Sequence, residues 1–370
     1  MPVLAITGPR QSGKTTLVKH LFPDYIYLNL ENPVQREFAY TDPVGFLRKH
    51  QQGLILDEIQ NVPSLFSFIQ TIADETGKTG KFILTGSNNF LLLEKITQSL
   101  AGRVTIFHLL PFSLAELASA NFIFANYEDI LWRGFYPRLH DKKLDPADIY
   151  PSYIQTYIER DLRKLINIKN LNQFQRFLHL SAGRIGQIVN CSNIAQETGV
   201  DFKTIQNWIS ILETSFIAYT LPAWHENFSK RITKSPKLYF YDTGIACYLL
   251  GINSINDLDV HFAKGALFEN LVINEIRKFH FNKYITTGMY FWREHNGLEI
   301  DLIIDKGSRF IPVEIKSGRT VNQDFFKNLQ SIKKISKKKI EKALLIYGGE
   351  EETERSDISV RSWKNIPDNL

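Results

Sequence analysis

Eight consecutive residues, Gly8-Pro9-Arg10-Gln11-Ser12-Gly13-Lys14-Thr15, restrict the fold of this chain more than any other feature. They satisfy the pattern G-x-x-x-x-G-K-[ST] and stand between a short aliphatic run, Val3–Thr7, and a segment of helical character starting near Lys14. A strand, a glycine loop and a helix in that order turn successive backbone N–H groups toward one point, where the helix N-terminus adds partial positive charge. An anion fits that point. Lys14 is expected to reach the β- and γ-phosphates of ATP and Thr15 to offer its hydroxyl to Mg²⁺, with the binding run extending to Thr16.

The chemistry needs acids next, and Leu54-Ile55-Leu56-Asp57-Glu58 supplies them at the end of an aliphatic strand. Asp57 is expected to hold Mg²⁺, directly or through water, and Glu58 to polarise the water that attacks the γ-phosphate. The bland alternative for Glu58 is an acid at a helix start. A third apolar run, Phe82-Ile83-Leu84-Thr85, ends in Gly86-Ser87-Asn88, where Ser87 or Asn88 is either a γ-phosphate or water contact or a turn former. Arg103, just before Val104–Leu109, is a candidate trigger that neutralises transition-state charge in cis or across a homo-oligomer, or else a structural salt-bridge partner. Arg10 has the charge to reach phosphate but is expected to face solvent.

These runs belong to a wider alternation. Val3–Thr7, Tyr25–Asn29, Gly53–Asp57, Lys81–Thr85 and Val104–Leu109 alternate with helical segments, the signature of a parallel sheet covered on both faces. The expected fold is therefore α/β, a P-loop NTPase domain over residues 1–125. A length of 370 residues exceeds one compact core, so further domains are expected. A helical connector over 126–180 fits the spacing of Tyr150, Tyr153, Ile154, Tyr157, Ile158, Leu162 and Leu165. The two cysteines, Cys191 and Cys247, suit neither a disulfide framework nor zinc spacing, which points to a reducing compartment. With no basic leader and no apolar run long enough to span a bilayer, the chain is expected in the cytoplasm without a membrane partner.

Residues 181–262 carry a second signal. Ser192 is a candidate cap for a short helix ended by Gly199, and Asp201 for the next, whose stripe Ile205, Trp208, Ile209 and Leu212 leaves Lys203, Thr204, Gln206 and Asn207 facing outward. With extended Phe216–Leu221 and Leu238–Tyr241 following, the segment resembles a winged helix-turn-helix. Basic Lys230, Arg231, Lys234 and Lys237, together with Lys333, Lys334, Lys337, Lys338 and Lys339, have the charge to follow the backbone of DNA; a solvated face is the plainer reading. The net charge of +5 permits such a partner without requiring one.

Residues 263–370 begin with a helix, Gly265–Phe279, and continue with strands at Tyr290–Arg293, Glu299–Ile304, Phe310–Ile315 and Ala343–Tyr347. Period-two alternation puts Glu314 and Lys316 on one face, thirteen and fifteen residues beyond Asp301. If the two strands pair, Asp301, Glu314 and Lys316 converge, and Glu269 on the preceding helix completes the set. The arrangement resembles the Asp…Glu-x-Lys nuclease core, in which Mg²⁺ activates water for phosphodiester attack, although Glu-x-Lys also arises by chance on exposed strands.

Taken together, Gly8–Thr16, Leu56-Asp57-Glu58-Ile59-Gln60, Leu84-Thr85-Gly86-Ser87, Leu100-Ala101-Gly102-Arg103 and Gly134-Phe135-Tyr136-Pro137 resemble the prokaryotic AAA-superfamily ATPases that carry a C-terminal restriction-endonuclease-like domain. The resemblance implies an AAA-type ATPase domain, then a helical and winged-helix module, then a nuclease-like α/β domain. It also implies ATP and Mg²⁺ as cofactors. Members of that group carry helices ahead of the first strand, whereas this sequence enters a strand at once, so either the adenine-side contacts differ or the start is truncated. One reading is an ATPase whose nucleotide state controls a DNA-acting C-terminal half. The other is a nucleotide-dependent switch that binds protein, its C-terminal acids inert.

Overall fold

The computed structural model describes residues 1–49, 53–86, 92, 95–96, 98–157, 170–224, 235–294, 297–336, 338–355 and 357–366. The chain divides into two compact units, Met1–Pro111 with Thr214–Phe216, and Phe112–Glu213 with Ile217–Leu370.

In the first unit, β1 (Val3–Thr7) leads through the glycine loop into α1 (Lys14–Leu21), followed by β2 (Ile26–Asn29), α2 (Pro33–Thr41), α3 (Pro43–Arg48), β3 (Leu54–Asp57), α4 (Leu65–Thr76), β4 (Phe82–Thr85) and β5 (Val104–His108). Helices α2 and α3 each start with proline at the first position, where no N–H is needed, and are capped by Asn32 and Asp42. The strands form one sheet in the order β2-β3-β4-β1-β5 with every pairing parallel. Both faces are covered. Leu54, Leu56, Phe82 and Leu84 pack with Leu65, Phe66 and Ile69 of α4 on one side, while Ile6, Ile55 and Ile83 pack with Val18 of α1 on the other. This is the α/β P-loop NTPase architecture expected, and it sends the C-terminal ends of β1, β3 and β4 to one edge.

The second unit contains α5 (Leu114–Ser119), α6 (Tyr127–Arg133), α7 (Pro137–Asp141), α8 (Pro146–Tyr153), α9 (Leu171–Ala182), α10 (Cys191–Thr198), α11 (Phe202–Thr214), β6 (Ala218–Leu221), β7 (Lys237–Phe240), α12 (Thr243–Leu249), α13 (Ile255–Val260), α14 (Lys264–Asn282), β8 (Gly288–Arg293), β9 (Glu299–Asp305), β10 (Arg309–Lys316), α15 (Lys327–Ile335), β11 (Lys339–Ile340), β12 (Ala343–Tyr347), β13 (Thr353–Arg355) and β14 (Ile358–Ser362). The tyrosine-rich stripe of the connector is buried at Tyr150, Tyr153, Ile154 and Tyr157. Ile158, Leu162 and Leu165 lie outside the described residues. Strands β6 and β7, which follow α10 and α11 in the chain, pair antiparallel. A mixed sheet runs β13-β14-β12-β10-β9-β8, with β11 beside β10, and its core includes Ile300, Ile303, Phe310, Leu345 and Val360. Among the described residues no helix is long and apolar enough to cross a membrane.

Two helices form where the helix-turn-helix is expected, with one change of cap. Asn190, not Ser192, leads into α10 and accepts the N–H of Asn193 at 3.0 Å, because the chain leaves extended geometry two residues earlier. Gly199 ends the helix at φ +71°. Asp201 caps α11, accepting from the Thr204 N–H at 2.9 Å and its hydroxyl at 2.6 Å. Ile205, Trp208, Ile209 and Leu212 are buried, Thr204 is half-buried, and Lys203, Gln206 and Asn207 are exposed.

Candidate nucleotide site and the C-terminal acidic cluster

The glycine loop takes its shape from what surrounds it. Gly8 sits at φ +146°, and a Cβ there would fall 2.1 Å from the Leu109 carbonyl oxygen, so only glycine fits against the end of β5. Gln11 adopts φ +64° and is exposed, whereas Pro9 and Ser12 are buried and the Ser12 hydroxyl has no hydrogen-bond partner among the described residues. Gly13, at φ +95°, releases the chain into α1. Lys14 is buried and its Nζ donates to the carbonyls of Gly8 at 3.0 Å and Pro9 at 2.7 Å. Burial lowers its pKa to about 8, opposed by Glu58 and Asp57. Such an ammonium ties the loop together through two of its own carbonyls. Arg10 approaches Glu31 at 3.9 Å and is partly exposed, and Thr16 is exposed.

Asp57 ends β3 beside this loop. Its Oδ2 accepts the Thr15 hydroxyl at 2.9 Å, so the two residues singled out for Mg²⁺ meet across forty-two positions of sequence. Two further partners were not singled out from sequence. The Tyr27 hydroxyl donates to the same oxygen at 2.7 Å, and the Thr85 hydroxyl donates to Oδ1. Burial first, then Asp57, raises the Tyr27 pKa, and the phenol stays a donor. Thr15 and Asp57 offer hard oxygens only, which is the donor chemistry Mg²⁺ takes. Glu58 follows in a left-handed conformation, φ +54°, uncommon for a residue with a side chain and a mark of a constrained site.

Ser87 and Asn88 lie outside the described residues. Arg103 is placed elsewhere. Its carbonyl accepts the Val3 N–H at the start of β1, whereas the glycine loop leaves the other end of that strand, about 16 Å away at ~3.3 Å per residue. Its guanidinium grips Asp74 of α4, Nε at 2.5 Å and Nη2 at 2.8 Å. Sheet polarity therefore removes the expected role in cis, and the salt-bridge alternative is what the fold contains.

In the second unit the predicted acids do converge. Val313 pairs with Leu302, so Glu314 and Asp301 come next to each other one step along β10 and β9. Lys316 Nζ lies 2.6 Å from Glu314 and 3.8 Å from Asp301, whose Oδ2 also accepts the Ile315 N–H at 2.7 Å. Glu314 is 1% exposed, takes Asn328 Nδ2 at 2.9 Å, and leaves Oε2 without a partner among the described residues. Glu269 of α14 completes the group, accepting the Tyr239 hydroxyl at 2.5 Å. Burial, then the charge of Asp301, raises the pKa of both Glu269 and Glu314 toward neutrality.

One residue changes the chemistry of that cluster. Lys237 of β7, counted from sequence among exposed basic residues, is only 3% exposed, and its Nζ lies 3.2 Å from Glu269 and against Glu299. Two carboxylates are thus tied to an internal ammonium. Among the described residues no group of three or more His, Cys, Asp or Glu side chains is arranged to hold a metal ion. Asp301, Glu314 and Lys316 meet as an ion network, and Lys237 ties Glu269 and Glu299 beside it. Of the other basic residues, Lys333 pairs with Asp357 and Lys338 with Asp305, while Lys334 and Lys339 are exposed. Lys230, Arg231, Lys234 and Lys337 lie outside the described residues.

Residues 1–118 match the family described as AAA domain, residues 124–256 a domain of unknown function (DUF8612), and residues 264–366 another (DUF4143). An uncharacterized protein of Mycobacterium tuberculosis is 28% identical over 97% of this chain and 79% of its own length. An uncharacterized protein of Haemophilus influenzae is 22% identical over 91% of this chain and 88% of its own. Among solved structures, the RuvB Holliday junction branch migration motor of Thermotoga maritima is 19% identical over 59% of this chain and 82% of that one, with a TM-score of 0.30. The N-terminal part of the chain is an AAA-type P-loop domain, and nucleotide binding belongs to it.

Proposed function

We propose that this chain is a magnesium-dependent ATPase whose nucleotide state governs a C-terminal half acting on DNA. The observation that carries the reading is the meeting of Thr15 and Asp57 at 2.9 Å beside the buried Lys14, with Glu58 next in sequence. Lys14 would exchange its bonds to the Gly8 and Pro9 carbonyls for phosphate oxygens, and the loop amides would bind the rest. Thr15 and Asp57 would hold Mg²⁺, which neutralises phosphate charge when bound. Glu58 would draw the proton from the attacking water. Arg103, remote from its own loop, suits a trigger donated to a second copy in a homo-oligomer once Asp74 releases it.

Steady-state phosphate release with Mg²⁺ and ATP tests the enzyme. Lys14→Ala should abolish nucleotide binding, while Glu58→Gln should keep binding and lose roughly 10²- to 10⁴-fold in turnover. A Glu58→Gln variant as active as the wild type would end this assignment. For DNA, the support is the exposed face of α11, with Lys203, Gln206 and Asn207. Absence of binding at low salt, with and without ATP, would leave the second reading: a protein-binding switch with an inert C-terminal domain. The position of Lys237 between Glu269 and Glu299 favours inertness toward cleavage. If Mg²⁺ or Mn²⁺ nevertheless yields nicking, Asp301→Ala and Lys316→Ala must remove it for these residues to be its source.

A further inference from the structure

Gln60 follows Glu58 by two residues inside a single 3₁₀ turn, Ile59–Asn61, and the turn is fixed on several sides. Ile59 is fully buried, the Asn61 N–H returns to the Glu58 carbonyl at 3.0 Å, and the Tyr40 hydroxyl donates to the Asn61 carbonyl at 2.8 Å. From this turn the Gln60 side chain folds back so that Nε2 donates to Glu58 Oε2. A carboxylate accepts only, which settles which end of the amide faces it. The other end, Oε1, is buried and has no hydrogen-bond partner among the described residues. It lies against Gly86, just past β4, where an added Cβ would fall 2.3 Å away. The glycine leaves the amide room, and the amide lies between the Glu58 carboxylate and the end of the neighbouring strand.

Resting on the ATPase reading above, we propose that Gln60 is a positioning residue for hydrolysis, holding the Glu58 carboxylate in its proton-accepting orientation through the Nε2 contact. Glu58 has several side-chain torsions, and a base that samples them spends little time aligned with the attacking water. Committing one oxygen to Gln60 leaves the proton-accepting role to the other. The left-handed backbone of Glu58 and the rigid turn supply the fixed frame that such a contact needs. The orphaned Oε1 beside Gly86 supplies an acceptor for a water or donor arriving at the end of β4.

The experiment is steady-state hydrolysis of MgATP by the full chain, with KM and ATP affinity measured in parallel. Gln60→Met conserves length and removes the donor. It should lower kcat roughly tenfold or more while KM and ATP affinity stay within about twofold, the signature of a group that acts on the step and not on binding. Gly86→Ala reaches the same amide from the other strand and should give the same selective loss. The double variant should lose little beyond either single one, because both act on one contact. A kcat that is unchanged or raised in Gln60→Met, or full additivity of the two, overturns the proposal while wild-type turnover keeps the ATPase reading. A wild type that binds ATP yet releases no phosphate overturns both.

Discussion

Glu314 and Lys237 show how single residues set the properties of the second unit. Glu314 is buried, its Oε2 has no partner among the described residues, and burial followed by the nearby Asp301 charge raises its pKa above the ordinary 4.5. The native state therefore binds more protons than the unfolded chain from about pH 4.5 up toward neutrality. Stability is fully present below that window and is lost as pH rises through it. Glu314→Gln should flatten this decline, measured as urea midpoints between pH 4.5 and 8; an unaltered slope would show that Glu314 titrates normally. Lys237→Met should behave in the opposite way from a surface change. It strands Glu269 and Glu299 without their ammonium and should cost about 3–5 kcal/mol, since a buried charge loses its partner. A loss below about 1 kcal/mol in denaturant titration would mean that water already reaches the pair. Neither effect was legible from sequence, where Lys237 reads as one more basic residue after the helix-turn-helix.

At the scale of elements, helix α11 carries the clearest expectation. Its buried stripe and its outward residues follow from 3.6-residue spacing, which sequence displays directly. Its start follows from Asp201, whose carboxylate satisfies N–H groups that the helix cannot. Asp201→Ala should cost about 1 kcal/mol, with little change in DNA affinity per folded molecule. Lys203→Ala should reduce the slope of log affinity against log salt by about one, with the melting temperature unchanged. An identical slope would place DNA on another surface. The neighbouring cap was misplaced by two residues, because Asn190 and Ser192 are both good caps and only the point where the chain leaves extended geometry chooses between them.

At the scale of the whole molecule, the ATPase reading and the DNA reading are joined by thermodynamic linkage. If ATP tightens DNA binding by some factor, DNA must tighten ATP binding by the same factor. Lys14→Ala should abolish the effect of ATP on DNA affinity and leave DNA binding at its nucleotide-free level. Unequal factors for the two ligands at equilibrium would mean that they do not act through a shared pair of states. The Arg103 proposal also belongs here, since its grip on Asp74 lies at the end of β1 away from the glycine loop.

Consecutive residues and short periods carry the part of this protein that can be read along the chain. The glycine loop from Gly8 to Thr15, the aliphatic strand ending in Asp57 and Glu58, and the striped helix α11 all depend on covalent spacing, so their chemistry was readable in order. Tertiary structure decided what each of these meets. Strand order β2-β3-β4-β1-β5 brings Tyr27, Thr85 and Thr15 onto one carboxylate from three separate segments, and it sends Arg103 to the opposite edge. Pairing of β9 with β10 gathers Asp301, Glu314 and Lys316, while β7 delivers Lys237 against Glu269 and Glu299. Partners fixed by sheet order are set by free energy summed over the whole core, and no local pattern records that sum.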